Sequence, residues 1–366
     1  MKQLERLYKT SAKGATQVID MMIEGDTYTR TWGQLDGKMQ SKATTAVGKN
    51  IGKSNETTAE EQAVLEAEAV WVKKQKTGYS TSAEAPTTVL LPMKVNDYHK
   101  HKKKVTFPCF TSPKLNGVNA EYRLVDGELV LLSRGGEEYA IPEHQRVPVL
   151  TLMEHLTVDS LNGEMYKHGE HLQDIMAATK KHNELTPSLS FHVFEFPTVT
   201  GTYESKCHEL YAARQTYVEH DVSSIPFVPV WVANSHEELD DQHAQCVFAG
   251  YEGLIIRNPK AEYKYNTRSL DVFKYKEALE DEFEVSGYNL DKNGHAVFMC
   301  LTPQDAGFKV KLKGTNEERL AMAAEADSYI GKYLNVEYET LSKDGIPLKP
   351  VGQYFRKVDE NGEAAE

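Results

Sequence analysis

Two lysines spaced by one residue, Lys274 and Lys276, stand in the run Phe273-Lys274-Tyr275-Lys276. On a strand that spacing puts both on one face, so two ammonium groups can converge on one site and neutralise a phosphate. A third lysine, Lys114, lies in Ser112-Pro113-Lys114-Leu115-Asn116-Gly117-Val118-Asn119. A lysine attacks as a nucleophile only after losing a proton, and its ordinary pKa is about 10.4. Neighbouring cations lower that value by disfavouring a second positive charge. Gly117 permits close approach of the backbone beside Lys114. Two glutamates sit next to glycine, Glu164 in Leu161-Asn162-Gly163-Glu164-Met165-Tyr166 and Glu252 in Glu252-Gly253-Leu254-Ile255-Ile256-Arg257. Mg²⁺ takes oxygen ligands, often one or two carboxylates completed by phosphate and water. Arg134 lies in Leu132-Ser133-Arg134-Gly135-Gly136, and Phe194 in the aromatic run FHVFEFP, residues 191–197; an aromatic face suits a purine. Each has an ordinary alternative: exposed strand lysines, glutamates in plain turns, a phenylalanine in a core.

The elements that must position these residues follow from the rest of the chain. Its 366 residues suffice for two or three domains. No run of about 18 apolar residues occurs, so no membrane span is expected. Met1 to Lys13 is polar and basic without an apolar core, which predicts no secretory signal. The four cysteines, Cys109, Cys207, Cys246 and Cys300, form no C-x-x-C pair, so neither a zinc site nor a disulfide framework is indicated. A cytoplasmic, reducing location fits. The net charge of −12 argues mildly against nucleic acid, but it is uneven. Residues 1–104 hold 17 Lys+Arg against 12 Asp+Glu, and the remainder holds 25 against 42. Local basic stripes, not the total, make phosphate contacts.

An α+β chain of three units is predicted. In residues 1–82, Gln17 to Trp32 reads as strands turning at Glu24-Gly25-Asp26. Thr57 and Thr58 each precede a glutamate by three, a doubled capping-box signal; the helix they open runs to about Lys76 and stops at Gly78. Residues 83–104 read as a linker ending in the basic run HKHKKK (99–104), either solvated surface or a phosphate contact. Residues 105–277 alternate short β-rich runs (Ala120–Leu124, Leu129–Leu132, Leu189–Phe196, Gly253–Arg257) with helical stretches such as Glu204–His220. Residues 278–366 are mostly β. In Phe308-Lys309-Val310-Lys311-Leu312-Lys313 the apolar residues face a core and the lysines form a stripe outside. Leu334 to Glu339 alternates too, and Glu317 to Tyr329 reads as a helix between strands. A small barrel with one inserted helix is the OB-fold pattern, which commonly binds nucleic acid.

Taken in order, the runs around Lys114, Arg134, Glu164, Phe194, Glu252 and Lys274/Lys276 resemble those of the covalent nucleotidyltransferases, and most closely the ATP-dependent DNA ligases of the small bacteriophage-like type. The resemblance implies a nucleotidyltransferase (adenylation) domain over 105–277 followed by an OB-fold domain. It implies that Lys114 attacks the α-phosphate of ATP to give lysyl-AMP, that AMP passes to the 5′-phosphate of a nick, and that the 3′-hydroxyl then expels AMP. It assigns phosphate binding to Lys274 and Lys276, ribose or metal binding to Glu164 and metal binding to Glu252. Adenine stacking goes to Phe194, ribose or nucleic-acid phosphate to Arg134, and pyrophosphate to Arg356 and Lys349 near the C-terminus. The implied cofactors are ATP and Mg²⁺ (or Mn²⁺), and the partner is nicked double-stranded DNA bound by a monomer away from membranes. Asn116 and Asn162 stand where the family more often has Asp, and Asn119 where DNA ligases more often have Arg. Thr31-Trp32-Gly33-Gln34 with Gly37 to Lys42 and the following helix resembles a WGR domain, a small module that contacts DNA ends, with Gln34 in place of its arginine. Two other readings stay open: an RNA ligase or GTP-using capping-type enzyme, and a non-catalytic DNA-end-binding protein.

Overall fold

A computed structural model describes residues 1–10, 15–82, 90–207 and 224–356. The first unit is an antiparallel meander of β1 (Lys2–Thr10), β2 (Thr16–Glu24), β3 (Thr27–Gln34) and β4 (Met39–Thr45), in that spatial order. The turn between β2 and β3 falls at Gly25-Asp26, as the sequence indicates. Alternation on β2 sends Ile19, Met21 and Ile23 to one face, where they meet Leu7 and the helix α1 (Ala59–Gln75) through Ala63 and Ala67. Burying each of the larger side chains stabilises by roughly 1.5–3 kcal/mol. Of the two candidate caps Thr58 is the one used: its hydroxyl accepts from Glu61 N and Glu61 bonds back to Thr58 N. Gly78 follows the helix with φ 88°.

The second unit holds two five-stranded sheets, antiparallel except at one edge strand. One is ordered β11-β10-β7-β8-β9, from β7 (Val118–Val125), β8 (Glu128–Ser133), β9 (Glu138–Tyr139), β10 (Ser160–Tyr166) and β11 (Ser190–Glu195). Helices α3 (Glu143–Leu156) and α4 (Leu172–Lys180) cover it, with Val149, Leu152 and Ile175 packed on Tyr122, Leu131 and Phe191. The other is ordered β12-β6-β13-β14-β5, from β5 (Lys94–Asp97), β6 (Cys109–Lys114), β12 (Trp231–Ala233), β13 (Gly253–Arg257) and β14 (Arg268–Tyr275).

Residues 94–104, expected within the linker, instead belong to this unit. Strand β5 pairs parallel with β14, and a short helix, α2 (Tyr98–His101), follows. Asn96 Nδ2 donates to Ser269 O at 2.6 Å, and buried Tyr98 stacks on Tyr275 with centroids 4.4 Å apart. The helix α5 (His236–Phe248) packs Leu239 and Cys246 on the same sheet. The expected helix Glu204–His220 lies mostly outside the described residues.

The third unit is a closed barrel of β15 (Leu279–Leu290), β16 (Ala296–Leu301), β17 (Gly307–Leu312), β21 (Val351–Phe355) and β18 (Tyr333–Tyr338), in that order. One helix, α6 (Asn316–Ala324), connects β17 to β18, and β17 pairs parallel with β21. This is the five-stranded OB-type arrangement. Phe308, Val310 and Leu312 are buried, while Lys309 and Lys311 point outward. A hairpin of β19 (Thr340–Leu341) and β20 (Pro347–Leu348) stands off the barrel after Glu339. The cysteines are free thiols, three of them buried. Among the described residues no helix is long and apolar enough to cross a membrane.

Candidate active site

Lys114 ends β6, and Glu252 immediately precedes β13; the Glu252 N–H donates to Lys114 O at 3.0 Å. Antiparallel pairing of these strands therefore fixes the two side chains together, and the Lys114 ammonium donates to Glu252 Oε2. The other carboxylate oxygen of Glu252 lies 3.2 Å from Lys276 Nζ. Lys276 follows β14, the next strand of the same sheet, so neighbouring strands deliver both lysines to one carboxylate. Gly253 between them has φ 149°, and a Cβ there would collide with Tyr275 O.

The chain of charge continues out of the sheet. Lys276 Nζ is 3.0 Å from Glu339 Oε2, and that oxygen is 2.5 Å from Lys349 Nζ. Glu339 belongs to the barrel unit, between β18 and β19. Lys274 joins the group: burial, first, and then the Lys276 cation push its ammonium below the usual lysine value, with Lys114 adding to this and Glu339 and Asp97 opposing it.

The opposite sheet supplies Glu164, on β10. Burial pushes its carboxyl up to about 7; Lys114 opposes this, Glu252 adds to it, and the Gly117 amide and Arg134 oppose it. Glu164 thus stands in one field with both members of the Lys114–Glu252 pair. Gly117 allows this, because a Cβ there would press on Met165 O and come within 2.8 Å of Glu164 Cγ. Glu164 and Glu252 are a like-charge pair that a divalent cation would relieve, and two carboxylates suit such an ion when phosphate and water complete its shell. Among the described residues no cluster of three or more metal-binding side chains occurs.

Arg134 is exposed in the turn after β8, a turn held by Ser133 Oγ accepting from Glu137 N at 2.9 Å. Phe194 lies on β11, two residues from His192, which is the cross-strand partner of Glu164. Its ring is 5.9 Å from the Arg257 guanidinium, which donates to Ser112 Oγ at 3.0 Å. Phe194 is thereby tied to the strand that ends in Lys114. Arg356 is not brought to this group; it pairs with Glu282 at 3.3 Å within the barrel.

Sequence reasoning singled out none of Arg257, His192 or Glu339. Arg257 closes the Glu252–Arg257 run, so its position was visible but its role under Phe194 was not. His192 is pulled down to about 4 by burial, and this environment has no local signal. Glu339 looked like the outer end of an alternating strand. Asn162 and Asn119 have backbone work: Asn162 Nδ2 donates to Ala120 O at 3.0 Å and Asn119 Nδ2 to Gly163 O at 3.2 Å, joining β7 to β10.

Residues 90–276 match the family model described as the ATP dependent DNA ligase domain. A DNA ligase of African swine fever virus (isolate Warthog/Namibia/Wart80/1980) is 29% identical over 336 residues, covering 85% of this chain and 78% of the viral protein. That of the isolate Tick/Malawi/Lil 20-1/1983 is 28% identical over 350 residues, covering 88% and 82%. A solved structure from a study of DNA binding by Lig E DNA ligases superposes with a TM-score of 0.58 over 72% of this chain and 99% of that one, at 18% identity. That likeness concerns the fold.

Proposed function

The chain belongs to the ATP-dependent DNA ligase family, and from that premise we propose how its own residues divide the work of sealing a 5′-phosphate/3′-hydroxyl nick in duplex DNA. Lys114 is the nucleophile. Its nitrogen forms a bond to the α-phosphorus of ATP as the bond to the pyrophosphate oxygen breaks, giving lysyl-AMP. The amine must first lose its proton, which the positive charges of Lys274 and Lys276 favour. The same two ammonium groups hold the α-phosphate and offset the charge that builds on it. AMP then passes to the 5′-phosphate of the nick, and the 3′-hydroxyl displaces it. Splitting one displacement into three lowers each barrier.

Glu164 and Glu252 would hold the divalent cation, Mg²⁺ or Mn²⁺, which supplies positive charge at the phosphates when bound. Glu252 also orients the Lys114 ammonium, and Glu164 is placed to reach the ribose. Phe194, backed by Arg257, offers a face to adenine. Arg134 reaches toward ribose or DNA phosphate. The barrel closes over the nucleotide and later turns to the DNA about a hinge between Lys276 and Glu282. The N-terminal unit acts as a WGR-like module on the DNA flank, and one copy of the chain suffices.

The Lys114–Glu252–Lys276 arrangement carries this reading. The test is incubation with α-labelled ATP or GTP and Mg²⁺ after pyrophosphate treatment, with the label followed through denaturation. An ATP-specific adduct absent from Lys114→Ala, followed by sealing of nicked DNA over nicked RNA, is expected. A GTP adduct would indicate a capping-type enzyme, and no adduct a DNA-end-binding protein.

A further inference from the structure

We propose that the N-terminal unit carries a binding site for the phosphate backbone of duplex DNA, formed by Lys9, Arg30, Lys42, Lys73 and Lys74. This rests on the nick-sealing reading and gives the flanking contact named residues.

Four other cations of the unit are neutralised: Lys2 pairs with Glu68, Arg6 with Asp20, Lys49 with Glu66 and Lys76 with Glu137, while Lys38 and Lys53 stand apart from the five in loops. Among the described residues none of the five has a carboxylate partner. In a chain of net charge −12 such a group is not an average of composition. The five are also close in space. Arg30 on β3 pairs in register with Lys42 on β4, so both side chains rise from the same face. Lys74, on α1, is pushed below the usual lysine value by burial and then by Arg30, Lys9 and Lys73. Two aromatic rings brace the group: Lys9 and Lys74 lie 5.6 and 5.8 Å from the Tyr79 centroid, and Arg30 lies 4.4 Å from that of Trp32. The cations are thus pre-positioned on a sheet and a helix, against their mutual repulsion. Lys9 Nζ also donates to Thr77 O at 2.5 Å, but among the described residues no carboxylate offsets that repulsion, whereas a polyanion would.

Placement ties the group to the active site. Lys76, in the turn of chain after Lys73 and Lys74, pairs with Glu137, and Glu137 lies in the turn that holds Arg134. The patch therefore begins beside the loop assigned to nucleic-acid phosphate.

The test uses the full chain with Lys42→Gln and Lys73→Gln together, the two most exposed members. Binding of a nicked duplex is followed by fluorescence anisotropy across a salt series. Each lost phosphate contact lowers the slope of log affinity against log salt by about 0.9, so a decrease of about 2 is expected. The Lys→Arg pair should keep the parent slope. Sealing should show a raised KM for DNA at unchanged kcat. Formation of lysyl-AMP from ATP alone, which needs no DNA, reports that the variant is folded. An unchanged slope and affinity in a variant that still forms lysyl-AMP would overturn the site, as would a change on single-stranded DNA with none on duplex. Absence of lysyl-AMP in the parent chain would count against the ligase reading alone, because the salt slope reads the phosphate site by itself.

Discussion

One carboxylate, that of Glu252, spans the two lysines proposed to carry the first chemical step. Lys114→Ala should abolish lysyl-AMP formation while leaving the thermal melt nearly unchanged, since the side chain is only partly buried. Lys276→Ala should cut the adenylation rate by about 10²–10³-fold, the usual cost of removing one donor to a developing charge; single-turnover labelling would measure it. Gly117→Ala tests the packing behind the chemistry. The added methyl would meet Met165 O and Glu164, so adenylation should fall with Lys114 still in place, and an unaffected rate would mean that Glu164 need not approach so closely. That Lys114, Lys274, Lys276, Glu164 and Glu252 would be neighbours was legible because each sits in a short run that resembles, in order, those of one family. The sequence hid Arg257 and Glu339, whose importance comes from partners far along the chain.

Strands and helices were legible where a period or a cap marks them. The alternation Phe308–Lys313 and the capping box at Thr58 both correspond to observed elements, β17 and α1. Removing that cap by Thr58→Ala should cost the N-terminal unit about 1 kcal/mol, seen as a lower denaturation midpoint. Strand β5 and helix α2 escaped notice because four residues give no period, and because a run of His and Lys reads as solvated surface. Their burial is set by Tyr275 and Ser269, which lie some 170 positions later. The turn closing β15 and β16 supplies a pH test. Asp291 pairs with Lys311 at 2.9 Å and accepts from the Asn293 and His295 amides, which hold its carboxyl far below the usual value. Such a group contributes stability above its ordinary pKa and loses it as pH falls toward the depressed one. Asp291→Asn should therefore lower Tm at pH 7, and the gap from the parent should narrow below about pH 4.

Across the whole molecule the three units touch through a few charged pairs. Lys76–Glu137 joins the first to the second, and Lys276–Glu339 with Lys343–Asp174 at 3.6 Å joins the second to the third. None of these was legible, because each depends on how folded units meet. The pair at Glu339 has a thermodynamic implication. With Lys276 holding the α-phosphate as proposed, that phosphate and the Glu339 carboxylate are rivals for one ammonium, so filling the pocket and releasing this one barrel contact, before the barrel closes again over the nucleotide, are two faces of one equilibrium. Linkage makes the effect reciprocal: whatever factor Glu339 takes from nucleotide affinity, bound nucleotide must take from the barrel's grip. Glu339→Gln should then bind ATP more tightly by calorimetry and scatter X-rays as a more extended particle, and a variant that did only one of these would show that the rivalry is not there.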